Sequence, residues 1–301
     1  MNDALTEPVL TEPVLTEPVL TEPVLIEPGE LAELIESDEP PVLADVRWWL
    51  AGPPGRPAYE QGHLPGAQYV DLESELSGAH RPGGAGGRHP LPDPADFAAA
   101  MRRIGISAGD LVVVYDPDTS LAASRLWWLL TDAGHDRVRV LNGGYAGWLA
   151  EDRPVETGPG RPVPPGTFAG RPGARAQVDA DALTARLDAG DPVTVVDVRA
   201  GERFRGEVEP MDPVAGHIPG AQSLPSTGNL DPAGRFLAAE VLADRFAGLP
   251  DEPVLYCGSG VTAAHTLLAL TIAGRGGAAI YPGSWSDWVS DPSRPVATGP
   301  E

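Results

Sequence analysis

Three things are scarce in this chain of 301 residues: cysteine, positive charge and long apolar runs. With one cysteine, Cys257, no internal disulfide can form. Twenty-one basic residues against 43 acidic ones leave a formal charge of −22. That balance argues against a chain that binds nucleic acid or an anionic membrane through bulk electrostatics, since both need a positive face. An anionic substrate would have to be drawn in by a local cationic pocket. No apolar stretch is long enough to span a bilayer, and no basic-plus-apolar leader is visible, so the expected setting is soluble and cytoplasmic. What is abundant is glycine and proline, 36 and 34 residues spread over both halves, which fits many short loops. The length sets a prior of two domains.

The chain repeats itself at two scales. Thr-Glu-Pro-Val-Leu recurs four times between Thr6 and Leu25. A proline every fifth residue prevents helix and interrupts any sheet ladder, so residues 1–25 read as an extended low-complexity tail. The longer repeat relates the two halves. Val42-Leu43-Ala44-Asp45-Val46-Arg47 answers Val195-Val196-Asp197-Val198-Arg199, and Gly62-His63-Leu64-Pro65-Gly66-Ala67-Gln68 answers Gly216-His217-Ile218-Pro219-Gly220-Ala221-Gln222. Near the ends, Asn142-Gly143-Gly144-Tyr145-Ala146-Gly147-Trp148 answers Pro282-Gly283-Ser284-Trp285-Ser286-Asp287-Trp288. Each copy alternates short β-branched runs with apolar segments of helix length, the pattern of an α/β domain with a mostly parallel sheet covered on both faces. The expected division is a tail at 1–25, one domain at 26–157, a Gly/Pro-rich linker at 158–177 and a second domain at 178–301.

Cys257 stands at the end of an apolar run, Pro253-Val254-Leu255-Tyr256, and enters Gly258-Ser259-Gly260-Val261-Thr262 before an apolar helical stretch. A turn of this kind gathers unpaired backbone N–H groups, which favour the anionic form of a group held there and so mark the thiol as a nucleophile. Glycines at 258 and 260 let the backbone curl around the sulfur without a Cβ clash. Aligning the halves puts Asp116 where the second copy has Cys257, and Pro117-Asp118-Thr119-Ser120 lacks the Gly-x-Gly pattern. One copy therefore carries the nucleophile and the other cannot perform the same chemistry. In open parallel sheets ligands bind beyond the carboxyl ends of strands, where Cys257 falls. A phosphatase would close such a loop with an arginine, but Ala263 and Ala264 occupy that place. No metal-ligand cluster or nucleotide fingerprint is found, and Gly83-Gly84-Ala85-Gly86-Gly87 reads as a flexible loop.

The paired Asp-Val-Arg and Gly-His-[Leu/Ile]-Pro-Gly-Ala motifs, the Cys-x-x-Gly-Val-Thr loop and the terminal Gly-Ser-Trp-Ser-Asp-Trp resemble the tandem-domain rhodanese family of sulfurtransferases. The resemblance implies a doubly wound α/β domain in each half, an inactive first copy and a cleft between the two. It also implies sulfur transfer without a cofactor. Cys257 takes sulfur from a small-molecule donor as a persulfide and passes it to a thiol, cyanide or thioredoxin, with a cradle formed by Gly258, Gly260, Val261 and Thr262. A neutral Cys-Gly-Ser-Gly-Val-Thr loop is the form found with 3-mercaptopyruvate, whereas a basic residue in the loop goes with thiosulfate. By the same resemblance Arg203 would bind the donor's carboxylate, and Ser259 and His63 would form a proton relay, with His217 structural. The family's second arginine follows a Glu-Pro pair, but here Glu209-Pro210 is followed by Met211, leaving Arg205 as the candidate to compensate. Thiosulfate transfer and a persulfide carrier without turnover are the alternatives; a redox sensor is disfavoured because the chain has no resolving cysteine.

Overall fold

The computed structural model describes residues 23–300, so all but the last residues of the repeat tail lie outside the described part. The first half holds β1 (Leu25–Ile26), α1 (Pro28–Ile35), β2 (Val42–Asp45), α2 (Gly55–Gln61), β3 (Gln68–Tyr69), α3 (Leu72–Glu75), α4 (Pro94–Arg103), β4 (Val112–Tyr115), α5 (Leu121–Asp132), β5 (Val138–Leu141) and α6 (Gly144–Ala150). The second holds α7 (Ala180–Ala189), β6 (Val195–Asp197), α8 (Gly201–Phe204), β7 (Gln222–Ser223), α9 (Ala239–Phe246), β8 (Val254–Tyr256), α10 (Val261–Ile272), β9 (Ala279–Ile280) and α11 (Ser284–Trp288). Two all-parallel sheets result, ordered β1-β5-β4-β2-β3 and β7-β6-β8-β9. The described residues reach into the expected tail. Val24 is buried and Leu25 pairs with Val140, because three apolar residues in a row can complete the sheet edge once the Glu-Pro pair is passed.

Local sequence explains the element boundaries. Asp93 caps α4 by accepting from Ala95 N at 2.8 Å, with Pro94 at the first helical position, where its missing N–H costs nothing. Asp179 caps α7 in the same way through Ala182 N, and Gly190 ends it in the left-handed region at φ +72°. All four residues of β4 are buried, as expected for a central strand with helices on both faces.

Alternation along the strands divides the interior into three cores. Val113, Tyr115 and Leu43 face an outer cluster with Leu31 and Trp148, while Val195, Val254 and Tyr256 face another with Leu183, Trp285 and Trp288. The opposite faces, Val112 and Val114 in one sheet and Val196 and Leu255 in the other, share a single cluster through α5 and α10, which pack against each other. The helices that follow the two equivalent loops are therefore back to back in one continuous core. Both loops are brought to the same cleft.

Candidate active site

The two loops meet at a cavity of about 320 Å³ lined by Arg203, Cys257, Gly258, Ser259, Val261 and Thr262 from one half and by Trp48, Arg88, Asp116 and Thr119 from the other. Cys257 Sγ, almost fully buried, accepts from Gly260 N at 3.1 Å. Gly260 has φ +80°, and a Cβ there would collide with Pro282 O, so the turn requires glycine. Helix α11 fixes the loop from behind. Trp285 N and Ser286 N each donate at 3.0 Å, to Cys257 O and Gly258 O, and Ser284 Oγ accepts from Cys257 N at 3.1 Å.

The first half carries the same turn with its cradle already filled. Asp116 accepts from Ser120 N and Ala122 N at 2.9 Å, from Asp118 N at 3.2 Å and from Ala123 N at 3.3 Å. Its own carboxylate takes the N–H of Ser120, the helix N-cap equivalent to Gly260, whose N–H donates to Cys257 Sγ in the second half. Burial lifts this carboxyl to about 6, while the N–H groups pull the other way.

Ser259 is held from across the cleft, by a histidine other than the one the motifs suggested. His89 Nδ1 lies 2.7 Å from Ser259 Oγ, and His89 Nε2 lies 3.2 Å from Glu73 Oε1. The Glu73 contact makes Nε2 the protonated nitrogen and leaves Nδ1 to accept from the Ser259 hydroxyl. Burial lowers the His89 pKa below its ordinary 6.5 despite Glu73, keeping the ring neutral at pH 7. Trp48 Nε1 donates to the same Glu73 oxygen at 2.9 Å, and its ring meets His89 edge-on. Arg125 of α5, fully buried, donates to His89 O at 3.1 Å and fixes the backbone of this segment. Burial pushes Arg125 down to about 10, and the Cys257 charge opposes that shift.

His63, expected in the relay, is instead a structural group. Its ring stacks on Tyr59 at 3.9 Å and its Nδ1 is 3.0 Å from Tyr59 O. His217 does the same with Phe204, at 3.7 Å and 2.8 Å. A histidine required identically in both copies serves the fold they share. His89 has no counterpart in the second half, and that asymmetry was the available signal. The glycine-rich segment before it is also not a free loop: Gly86 N donates to Asp287 Oδ1 at 2.6 Å and Arg88 N to Ser286 Oγ at 3.0 Å, docking it onto α11.

Arg203 donates to Glu209 Oε1 at 2.6 Å and to Asp212 Oδ2 at 3.3 Å, beside the cavity. Asp197 and Arg199 form a buried pair at 2.6 Å, with Arg199 also on Gly216 O and over the Trp285 ring; Asp45 and Arg47 repeat this with Gly62 O and Tyr145. These pairs hold the strand ends. Arg205 pairs with Glu207 in solvent, and Met211 is exposed outside the cavity lining.

A cysteine cradled at the head of a parallel α/β sheet, facing a twin loop whose cradle an aspartate fills, defines a tandem α/β fold with a single thiol at the shared cleft. The rhodanese-like domain model matches residues 27–151 and 179–291, and the chain belongs to that family. It is 48% identical over 270 residues to the "Probable 3-mercaptopyruvate sulfurtransferase" of Pseudomonas aeruginosa, covering 87% of this chain and 94% of that one. It is 44% identical over 281 residues to the "Putative thiosulfate sulfurtransferase SseB" of Mycobacterium tuberculosis, covering 90% and 95%. The crystal structure of SseA from Escherichia coli, described with the catalytic mechanism of 3-mercaptopyruvate sulfotransferases, superposes with a TM-score of 0.76 at 31% identity, covering 88% of this chain and 99% of that one. Among the described residues, no helix is long and apolar enough to cross a membrane.

Proposed function

We propose that this chain is a 3-mercaptopyruvate sulfurtransferase whose second domain, 178–301, carries the reaction and whose first, 26–157, supplies the relay. The observation that carries this reading is the 2.7 Å contact between His89 of one half and Ser259 of the other, two residues after the nucleophile. The Cys257 thiolate attacks the sulfur of HS–CH₂–CO–COO⁻. The C–S bond breaks, its electron pair passes to C3 as the pyruvate enolate, and the S–S bond of the persulfide forms. Ser259 takes the proton from the sulfur-bearing carbon's thiol as Nδ1 of His89 draws on its hydroxyl, and the same relay returns that proton to the enolate carbon. The balance is Cys–S⁻ plus mercaptopyruvate to Cys–S–S⁻ plus pyruvate. The persulfide anion is held by the N–H groups of the Gly258, Gly260, Val261 and Thr262 turn, whose geometry is preorganised. An attacking thiol, thioredoxin or cyanide then removes the outer sulfur, giving ping-pong kinetics. Arg203 is assigned to the carboxylate of the sulfur donor, since a guanidinium fork fits it.

The relative named for thiosulfate keeps a second reading in play. Charge favours the first. Arg88, Arg199 and Arg203 are matched around the cavity by Asp197, Glu209 and Asp212, and this balance disfavours a dianion more than a donor with a single carboxylate. The single cysteine, which leaves the fold no internal disulfide to rely on, is the support for a cytoplasmic setting. The test is kcat/KM for 3-mercaptopyruvate and thiosulfate in one preparation, beside Cys257→Ser. A preference for thiosulfate refutes the choice of substrate, and sulfur transfer that survives Cys257→Ser refutes the mechanism.

A further inference from the structure

We propose that Arg88, reaching in from the first domain, is the second arm of the carboxylate clamp, in the role left vacant by Met211. The proposal rests on the 3-mercaptopyruvate reading above. Its starting point is that two guanidinium groups in the cavity lining converge on one spot. A Cβ placed on Gly258 would lie 2.8 Å from Arg88 Nη2 and 3.5 Å from Arg203 Nη1, so both cations stand over the residue next to the nucleophile. They already share one carboxylate: Asp212 takes Arg88 Nη1 on Oδ1 and Arg203 Nη2 on Oδ2, the latter at 3.3 Å. One oxygen on each fork is how a bound carboxylate can be clamped by two arginines. Arg88 also has unused capacity. Its Nε–H is buried and has no hydrogen-bond partner among the described residues, whereas the Arg203 Nε–H is taken by Glu209 at 3.1 Å.

The backbone places Arg88 with little freedom. Its N–H donates to Ser286 Oγ, and the preceding Gly87 lies against the backbone of Gly283, so the start of α11 sets where this side chain emerges. His89, the next residue, holds Ser259. One dipeptide of the first domain thus supplies both a cation for the substrate's carboxylate end and the base for its sulfur end. Neither sequence candidate for the second cation does this, since Met211 is exposed beyond the cavity and Arg205 faces solvent on Glu207.

The experiment compares 3-mercaptopyruvate with mercaptoacetone, which has the same thiol and ketone and lacks the carboxylate, in the wild type, Arg88→Gln and Arg88→Lys. Loss of one charge-assisted contact to the carboxylate raises KM for 3-mercaptopyruvate about 10- to 100-fold in Arg88→Gln. The kcat stays within a few-fold, kcat/KM for mercaptoacetone is unchanged, and Arg88→Lys falls between the two for mercaptopyruvate. Unchanged mercaptoacetone turnover also shows that the variant is folded and its relay intact. Equal losses on both compounds, or no change in KM for mercaptopyruvate, overturn the assignment of Arg88 while leaving the wild-type activity in place. A wild type that turns over no 3-mercaptopyruvate overturns the substrate reading and the clamp together.

Discussion

Replacing His89 by glutamine separates the two sulfur donors by their chemistry. With 3-mercaptopyruvate the relay must take a proton from a thiol and return one to carbon. With thiosulfate the outer sulfur is already anionic and sulfite leaves as a stable anion, so no proton has to move. In the wild type Ser259 Oγ is 2.7 Å from Nδ1, a good hydrogen-bond length for a hydroxyl on a ring nitrogen, and the Nε2–H is spent on Glu73. Glutamine can keep a hydrogen bond to Ser259 but cannot accept and hold the proton. General acid–base catalysis contributes about 10²–10⁴-fold, so kcat/KM for 3-mercaptopyruvate should fall by about that factor. The thiosulfate rate should stay within about 3-fold, since none of that acid–base contribution is in use. The pH profile carries the same signature. The relay needs neutral His89, whose pKa is lowered by burial, so mercaptopyruvate activity is lost only as pH falls below 6.5, and this acid limb vanishes in the variant. Steady-state rates by pyruvate and thiocyanate formation from pH 5 to 8 give both readings. Equal losses on the two substrates would refute the relay, because they would show that His89 serves only to shape the cleft.

Three other outcomes follow from the interior. Arg125→Met exchanges a buried cation for an apolar chain of similar length; thermal stability should change by no more than about 1–2 kcal/mol in either direction, while mercaptopyruvate turnover falls because His89 O loses its tie. Asp116→Ala leaves several cradle N–H groups without an acceptor, and denaturant titration should show a loss of about 1–3 kcal/mol without a selective effect on either substrate. His265, fully buried against Phe236, has its pKa lowered to about 3 by burial. Its folded value lies below the unfolded one, so its contribution to stability is present above pH 6.5 and lost as pH falls toward 3. Between pH 7 and 4 a His265→Leu variant should therefore lose about 3 kcal/mol less than the wild type in urea titrations.

Much of this architecture was legible in the sequence because it is written twice. The repeated Asp-Val-Arg and Gly-His-x-Pro-Gly-Ala segments fixed strands β2 and β6 and the turns before β3 and β7, and the Tyr115-Asp116 and Tyr256-Cys257 alignment located both loops. The cleft was harder to read for the same reason. Internal symmetry draws attention to residues that occur in pairs, such as His63 and His217, and these turned out to brace the scaffold with matching stacked rings. The first-half residues that reach the Cys257 loop, directly or through one another, Glu73, Arg88 and His89, lie in a segment with no twin. Their nearness to Ser259 depends on how α5 packs on α10, which no local pattern encodes. The glycines before Arg88 looked like slack, and in the fold they let the chain press against α11.

The shared core between α5 and α10 has a consequence for how the protein would fail. Nucleophile and proton relay ride on opposite sides of that seam, so a slight slip between the halves parts Ser259 from His89 before either sheet unravels. Mercaptopyruvate turnover is thus a gauge of seating between the halves, sensitive to heat, denaturant or a crowding ligand at a dose where circular dichroism still reports an intact protein. Thiosulfate turnover, which needs no proton relay, should lag behind it.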